Sequence, residues 1–221
     1  PEGEAARKLR GAGVDVVAGD LDDAASLKKA LAGAWGVFGV QNTWEAGVER
    51  EEEQGKRLAQ LAKDAGVHLY VYASVGSAQR HTGIPHFDNK MRVEETVRSL
   101  NFRSFVIYRP VFFMENLTTP WFLNGDTMYS TLDPSTVLQM IAVTDIGKYA
   151  ARCFTDAERL NGRAFDIAGD ARTLPETVDV LDFLIGDAQP LLASRNFVSP
   201  SRKVDSPFTK GPLQLIDSSV M

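Results

Sequence analysis

Hydrophobic positions along this chain follow two alternating rhythms. Short, nearly continuous apolar runs occur at 14–18 (broken only by Asp15), 35–40, 69–73 and 104–109 (apolar from Phe105 to Tyr108), each of strand length. Runs of that kind predict strands covered on both faces. Between them, apolar residues recur at helical spacing: Leu27, Ala30 and Leu31, then Leu58, Leu61, Ala62 and Ala65, then Val93, Val97 and Leu100. Asp22 or Asp23 can cap the first of these helices, and Gly33 and Gly66 stop the first two. Residues 4–9 read as a helix already under way, closed by Gly11 and Gly13. Strands alternating with helices predict an α/β fold, a doubly wound parallel sheet of the Rossmann-like kind. Right-handed crossovers would bring the four strand ends, Gly19-Asp20, Gln41-Asn42, Ser74 and Arg109-Pro110, to one edge. Ligands of such sheets sit at that edge. The last strand stops at Pro110, which cannot donate to a ladder, and an aromatic-rich loop of 111–116 follows.

The rhythm changes beyond Pro120. Residues 125–134 are turn-rich, Thr144 reads as the cap of a helix carrying Ile146, Tyr149, Ala150, Cys153 and Phe154, and 163–168 reads as a short strand. Thr173 and Glu176 form a capping box with Pro175 in the first turn of one more helix. Three parts are therefore expected: 1–125 as an incomplete Rossmann-like nucleotide-binding domain, 126–185 as a small substrate or regulatory lobe, and 186–221 as a poorly ordered tail. In the tail Pro, Ser and polar residues prevail without a period.

Composition narrows the function classes. The net charge of −5, with no basic tract, argues against nucleic-acid binding by charge. No apolar run approaches the roughly 20 residues of a membrane span, and no signal peptide is visible, so no membrane partner is expected. A single cysteine, Cys153, fits a reducing, cytoplasmic setting. The three histidines and Cys153 have no ligand spacing, so no metal site is expected.

Several strand-end residues carry candidate chemistry. Asp20 could face an adenine or a ribose, or cap a helix; Asn42 could meet a ribose or nicotinamide, or support a turn. Lys90, read in the first turn of a helix, is opposed by the helix dipole there, which hints that another charge or a ribose hydroxyl holds it. Ser74 ends the preceding strand. His86 could act as an acid or base, but packing beside Phe87 is the better reading. Phe112, Phe113 and Met114 could cover a flat aromatic ligand, with Glu115 and Asn116 as the polar groups beside them. The run Glu49, Glu51, Glu52 and Glu53 reads as a solvated face matched to the helix dipole.

Taken together, Asp20-Leu21-Asp22-Asp23, Gln41-Asn42-Thr43-Trp44-Glu45, Gln54-Gly55-Lys56, His86-Phe87-Asp88-Asn89-Lys90 and Arg109-Pro110 leading to Phe113-Met114-Glu115-Asn116 resemble the NmrA-like family, and its NADPH-sensor branch in particular. These are atypical short-chain dehydrogenase/reductase-fold proteins. The resemblance implies a domain binding NADP(H), touched by Asp20, Leu21, Gln41, Asn42, Thr43, Lys90, Phe112, Phe113, Met114, Glu115 and Asn116. It also places Ser74 and Lys90 where relatives carry a catalytic serine and lysine, with His86 at the tyrosine position. Without that tyrosine, the implied role is a redox sensor or regulator with a regulatory protein partner. A reductase of quinones or related carbonyls using Ser74, His86 and Lys90 is the alternative, and an interaction protein that has lost its cofactor is a third. The family's first strand, glycine-rich phosphate loop, first helix and second strand, a unit of roughly 30 residues, have no counterpart in the chain. The 14–18 strand is therefore expected to lack a neighbour, and the chain to fold poorly and bind dinucleotide weakly.

Overall fold

The computed structural model describes residues 3–124 and 127–185; the 186–221 tail expected above lies outside the described residues. Its strands are β1 (Gly36–Gly39), β2 (Leu69–Ala73), β3 (Ser104–Pro110), β4 (Phe112–Phe113), β5 (Leu123–Asn124), β6 (Thr127–Met128), β7 (Leu138–Ile141), β8 (Ala164–Ile167) and β9 (Asp170–Arg172). Its helices are α1 (Glu4–Gly11), α2 (Ala24–Leu31), α3 (Thr43–Ala46), α4 (Val48–Asp64), α5 (Pro85–Ser99), α6 (Val143–Thr155), α7 (Ala157–Leu160) and α8 (Leu174–Ile185).

β1, β2, β3 and β8 form one parallel sheet in that order, so the α/β fold read from the sequence is the fold observed. Alternation along the strands supplies both covering layers. Tyr70, Tyr72 and Ile107 face Leu27, Leu58, Ala62, Val93 and Val97 of α2, α4 and α5. Leu69, Val71, Val106 and Tyr108 face Cys153 and Ala157 on the other side. Each large side chain buried this way contributes on the order of 1.5–3 kcal/mol. A third cluster, Leu117, Met128, Met140, Leu174 and Val178, joins α8 to the sheet β4-β7-β9.

Several elements differ from the sequence reading. Residues 14–18 form no strand, and Val14 and Val17 are exposed. A β-branched run becomes a strand only where a ladder partner exists, and among the described residues β1 pairs with β2 alone. Three of the four expected strand ends therefore share the carboxyl edge, and the end of β8, with Ile167 opposite Pro110, is the fourth there. The 163–168 strand, assigned to the smaller lobe, pairs with β3 in the main sheet. α6 starts at Val143 rather than behind a Thr144 cap, because the Glu115 carboxylate accepts the Val143 N–H (2.9 Å). α5 starts at Pro85, which puts Lys90 in the second turn. The 111–116 segment is not an open loop: β4 pairs with Met140 and Ile141, and a 3-10 turn covers Met114–Thr118.

Gly33, Gly36 and Gly39 repeat the spacing of a phosphate loop but run from a helix into a strand, the reverse of what pyrophosphate binding needs. Packing explains them. Gly33 turns the chain at φ +76, a Cβ on Gly36 would sit 2.8 Å from the Phe154 ring, and one on Gly39 would sit 2.5 Å from the Tyr70 hydroxyl.

Candidate functional site

Parallel register, with Gly39 opposite Tyr72 and Ala73 opposite Tyr108, puts Gln41, Ser74 and Pro110 at the same edge of the sheet. Just past β1, Gln41 is buried, and neither its amide nitrogen nor its oxygen has a hydrogen-bond partner among the described residues. Asn42 caps α3, its Oδ1 accepting the Trp44 N–H at 3.0 Å. Ser74 donates its N–H to the Tyr108 carbonyl (2.9 Å), while its buried hydroxyl has no partner among the described residues. The loop beyond is tied back by the Gly76 N–H to the Pro110 carbonyl (2.8 Å) and carries Ser77 and His81 at positive φ, a conformation these residues seldom adopt.

Lys90 projects from α5 toward this edge, its ammonium 3.4 Å from the Gln41 carbonyl oxygen. Its charge partner is internal. Glu51, 1% exposed, lies with Oε1 2.6 Å from Lys90 Nζ, while its Oε2 accepts from Asn89 Nδ2 (2.8 Å) and from the Thr43 hydroxyl. Glu51 is thus no part of a solvated glutamate face. It continues the buried stripe of α4 through Gln54, Gly55, Leu58 and Ala62, a spacing readable in the sequence. Such a carboxylate is tolerable because two donors meet one oxygen and an ammonium lies beside the other. Glu52, half-buried, pairs with Lys56 and Arg92, and only Glu49 and Glu53 of the run are exposed.

His86 lies one turn before Lys90, tilted against Trp44 (5.8 Å between ring centres) and edge-on to Phe87 (4.7 Å). Burial pulls its pKa below the usual 6.5; nearby Glu51 opposes that and Lys90 reinforces it. A neutral imidazole at pH 7 suits an aromatic wall better than a proton donor. Arg109 is a brace. Its guanidinium grips Glu94 in a fork (2.8 and 2.6 Å) and reaches toward Asp166 at 3.6 Å. Burial raises the Asp166 pKa, against the pull of Arg109, of Gln79 and of the Ser77 amide.

Gln41, Thr43 and Lys90 are brought together, with Asn42 between them in the chain and Ser74 at the next strand end. The remaining candidates make contacts elsewhere. Asp20 closes a turn by accepting the Asp22 N–H (2.8 Å), and half-buried Leu21 packs into the core while its carbonyl accepts from Arg57 (2.8 Å). Asp22 fastens that turn to α4 through Arg50, Gln54 and Arg57, and those contacts hold its carboxyl below the usual range. No hydrogen bond or ion pair among the described residues joins Asp20 or Leu21 to Lys90 or Gln41. In the 112–116 stretch, Phe112 packs edge-on against Phe122 (5.0 Å) and Met114 joins the third core cluster. Glu115 caps α6, and the Asn116 carbonyl accepts from Thr119 (2.7 Å). Phe113 alone of the three apolar residues is exposed there. Sequence reasoning missed Glu51, Glu94 and Asp166, all acids whose burial follows from helix or strand phase.

The described polar groups suit the nicotinamide and ribose half of a dinucleotide: an amide and a hydroxyl without partners, beside a fixed ammonium. No strand-to-helix turn among the described residues supplies the glycine spacing that receives a pyrophosphate.

Comparison with known proteins agrees with this fold. The model of the NmrA-like family matches residues 1–204. Two curated relatives, the NmrA-like family domain-containing oxidoreductases FrzB of Cladobotryum sp and ptmS of Penicillium ochrochloron, are each 29% identical over 126 residues, 52% of this chain. The match spans 38% of the length of either relative. Among solved structures, the negative transcriptional regulator NmrA in complex with NADP superposes with a TM-score of 0.72 at 22% identity, covering 84% of this chain and 61% of that one. NmrA has also been crystallised with NAD. The triphenylmethane reductase of Citrobacter sp. complexed with NADP(H) gives 0.72 at 19% identity, covering 82% and 63%.

Proposed function

The chain belongs to the NmrA-like family, and from that premise we propose that it binds NADP(H) and acts as a redox sensor or regulator, signalling cofactor state to a protein partner. The observation that carries this reading is the cluster at the strand ends: Lys90 fixed beside the Gln41 carbonyl, with the Gln41 amide and the Ser74 hydroxyl buried and unpartnered. Gln41, Asn42, Thr43 and Lys90 would hold the nicotinamide–ribose half, and Phe113 would flank it. When bound, the cofactor supplies hydride chemistry; the chain's own residues orient it and exclude water. With His86 held neutral by burial and no tyrosine at that position, a proton donor for turnover is poorly provided. Sensing through the thiol is disfavoured as well, since Cys153 is buried and its pKa is pushed up to about 11.

NADPH fluorescence titrated into the protein tests the proposal, and NADH alongside it tests the preference for the phosphorylated cofactor. A saturable rise is expected. No binding at physiological cofactor levels would remove the proposal and leave an interaction protein without cofactor.

A second reading, an NAD(P)H-dependent reductase of quinones or related carbonyls, draws on the two relatives named oxidoreductases. Turnover with a quinone panel separates the two readings. A rate that survives both His86→Ala and Lys90→Ala would leave the reductase without its proposed residues. A cytoplasmic setting belongs to the same proposal. No helix among the described residues is long and apolar enough to cross a membrane, and one relative, FMP52 of Chaetomium globosum, is named mitochondrial.

A further inference from the structure

We propose that Glu51 is the positioning residue for Lys90, holding its ammonium at the strand-end rim and balancing its charge there. Lys90 then serves as a hydrogen-bond donor to an uncharged hydroxyl of the ligand, not as the counter-charge of a phosphate. This deepens the dinucleotide reading above and rests on it.

Three elements converge on one carboxylate. Glu51 stands in the first turn of α4, Thr43 reaches it from α3, and Asn89 and Lys90 reach it from α5. Asn89 also donates to the Val48 carbonyl (2.8 Å), which ties α5 to the start of α4 a second time. Lys90 has three N–H groups. Its ammonium forms an ion pair with Glu51 Oε1 (2.6 Å), an oxygen without a hydrogen-bond partner among the described residues, and lies 3.4 Å from the Gln41 carbonyl, so an N–H remains for a ligand. With its side chain 13% exposed, the ammonium is shielded but open to the rim.

A purely structural ion pair would be a poor device for this interface. α4 and α5 already meet through apolar contact, Gly55 against Val93, and an apolar pair in place of a buried ion pair is often no less stable. The charges also sit at the rim, beside Gln41, whose side-chain amide is among the buried polar groups without a partner among the described residues. The pairing bears on specificity too. The ion pair as a whole has no net charge, so the carboxylate weakens the attraction of Lys90 for a phosphate, whereas a ribose hydroxyl needs only its N–H.

NADPH titrations of the protein, Glu51→Gln, Lys90→Met and the double variant test this. Glu51→Gln keeps the shape and can still accept from Thr43 and Asn89. It is expected to weaken NADPH binding about tenfold, the scale of a hydrogen bond from a charged donor. Lys90→Met should weaken binding similarly, and the double variant no further. Unchanged affinity in Glu51→Gln, or losses that add in the double variant, would overturn the proposal.

A ligand-free readout separates this from failure of the dinucleotide reading. Reductive methylation, followed residue by residue by mass spectrometry, should modify Lys90 more slowly than exposed Lys28 and Lys148. Glu51→Gln should speed Lys90 several-fold and leave the other two unchanged. A Lys90 rate indifferent to Glu51 overturns the positioning role whether or not cofactor binds. A responsive rate in a protein that binds no dinucleotide overturns the functional reading alone. Glu51→Asp, which keeps the charge but withdraws it by one methylene, should label Lys90 at an intermediate rate, and it carries the comparison if Glu51→Gln does not fold.

Discussion

Arg109 shows how residue type and position can mislead when neighbours in space are unknown. It ends β3 where a ligand group is expected, yet its guanidinium is committed to Glu94 and Asp166. Arg109→Ala would leave Glu94, fully buried, with only Arg98 at 3.5 Å. The loss should be about 3 kcal/mol, read from urea denaturation, and Arg109→Lys, without the fork, should recover only part of it. His86 carries a pH signature. Its folded-state pKa lies below 6.5, so the fold favours the neutral ring. The stability this contributes is complete above 6.5 and is lost as pH falls through the lowered value. Thermal melts should therefore fall more steeply below pH 6.5 in the protein than in His86→Asn, and identical profiles would refute that. Cys153, with its pKa raised to about 11, should resist iodoacetamide at pH 8 until the protein unfolds. Gln41 was legible as a strand end. Lys90 was picked out by an expected place in the first helical turn, a reason that fails because α5 starts at Pro85. Glu51 was not legible, because four glutamates in five residues look like a solvent face unless the stripe of Leu58 and Ala62 is traced backward.

At the scale of elements, long apolar runs were read well: 69–73 and 104–109 became β2 and β3 almost to the residue. Local apolarity suffices when both faces are covered. The 14–18 run failed because a strand needs a ladder partner, which no local pattern reveals. The capping box at Thr173 was legible in full: the Glu176 carboxylate accepts the Thr173 N–H (2.8 Å), and Thr173 Oγ1 faces the Glu176 amide (3.4 Å). Thr173→Ala should cost about 1 kcal/mol, measurable by denaturant unfolding. The α4–α5 contact depends on Gly55, where a Cβ would lie 2.9 Å from Val93 Cγ2 and 3.1 Å from Gln41 Oε1. Gly55→Ala should lower the melting temperature and disturb cofactor binding through Gln41, and Val93→Ala should restore part of both.

At the scale of the whole molecule, the sheet of the described residues ends in two edge strands, β1 and β8, and the β1 flank is the apolar one. Among the described residues β1 pairs on one side only, and Trp35, Phe38 and Val40 are exposed along it. An unpaired apolar edge invites association, so sedimentation should show self-association that Val40→Lys reduces. The common rim, by contrast, follows from parallel pairing itself and was foreseeable from strand–helix alternation, with β8 in place of the 14–18 run. Hydrogen–deuterium exchange with and without NADPH tests most directly whether that rim is where a dinucleotide binds. We expect added NADPH to protect amides at 40–47, 74–80 and 86–92 and to leave α1 and α8 unchanged. Exchange that does not respond to NADPH, or protection confined to segments away from the three strand ends, would contradict it.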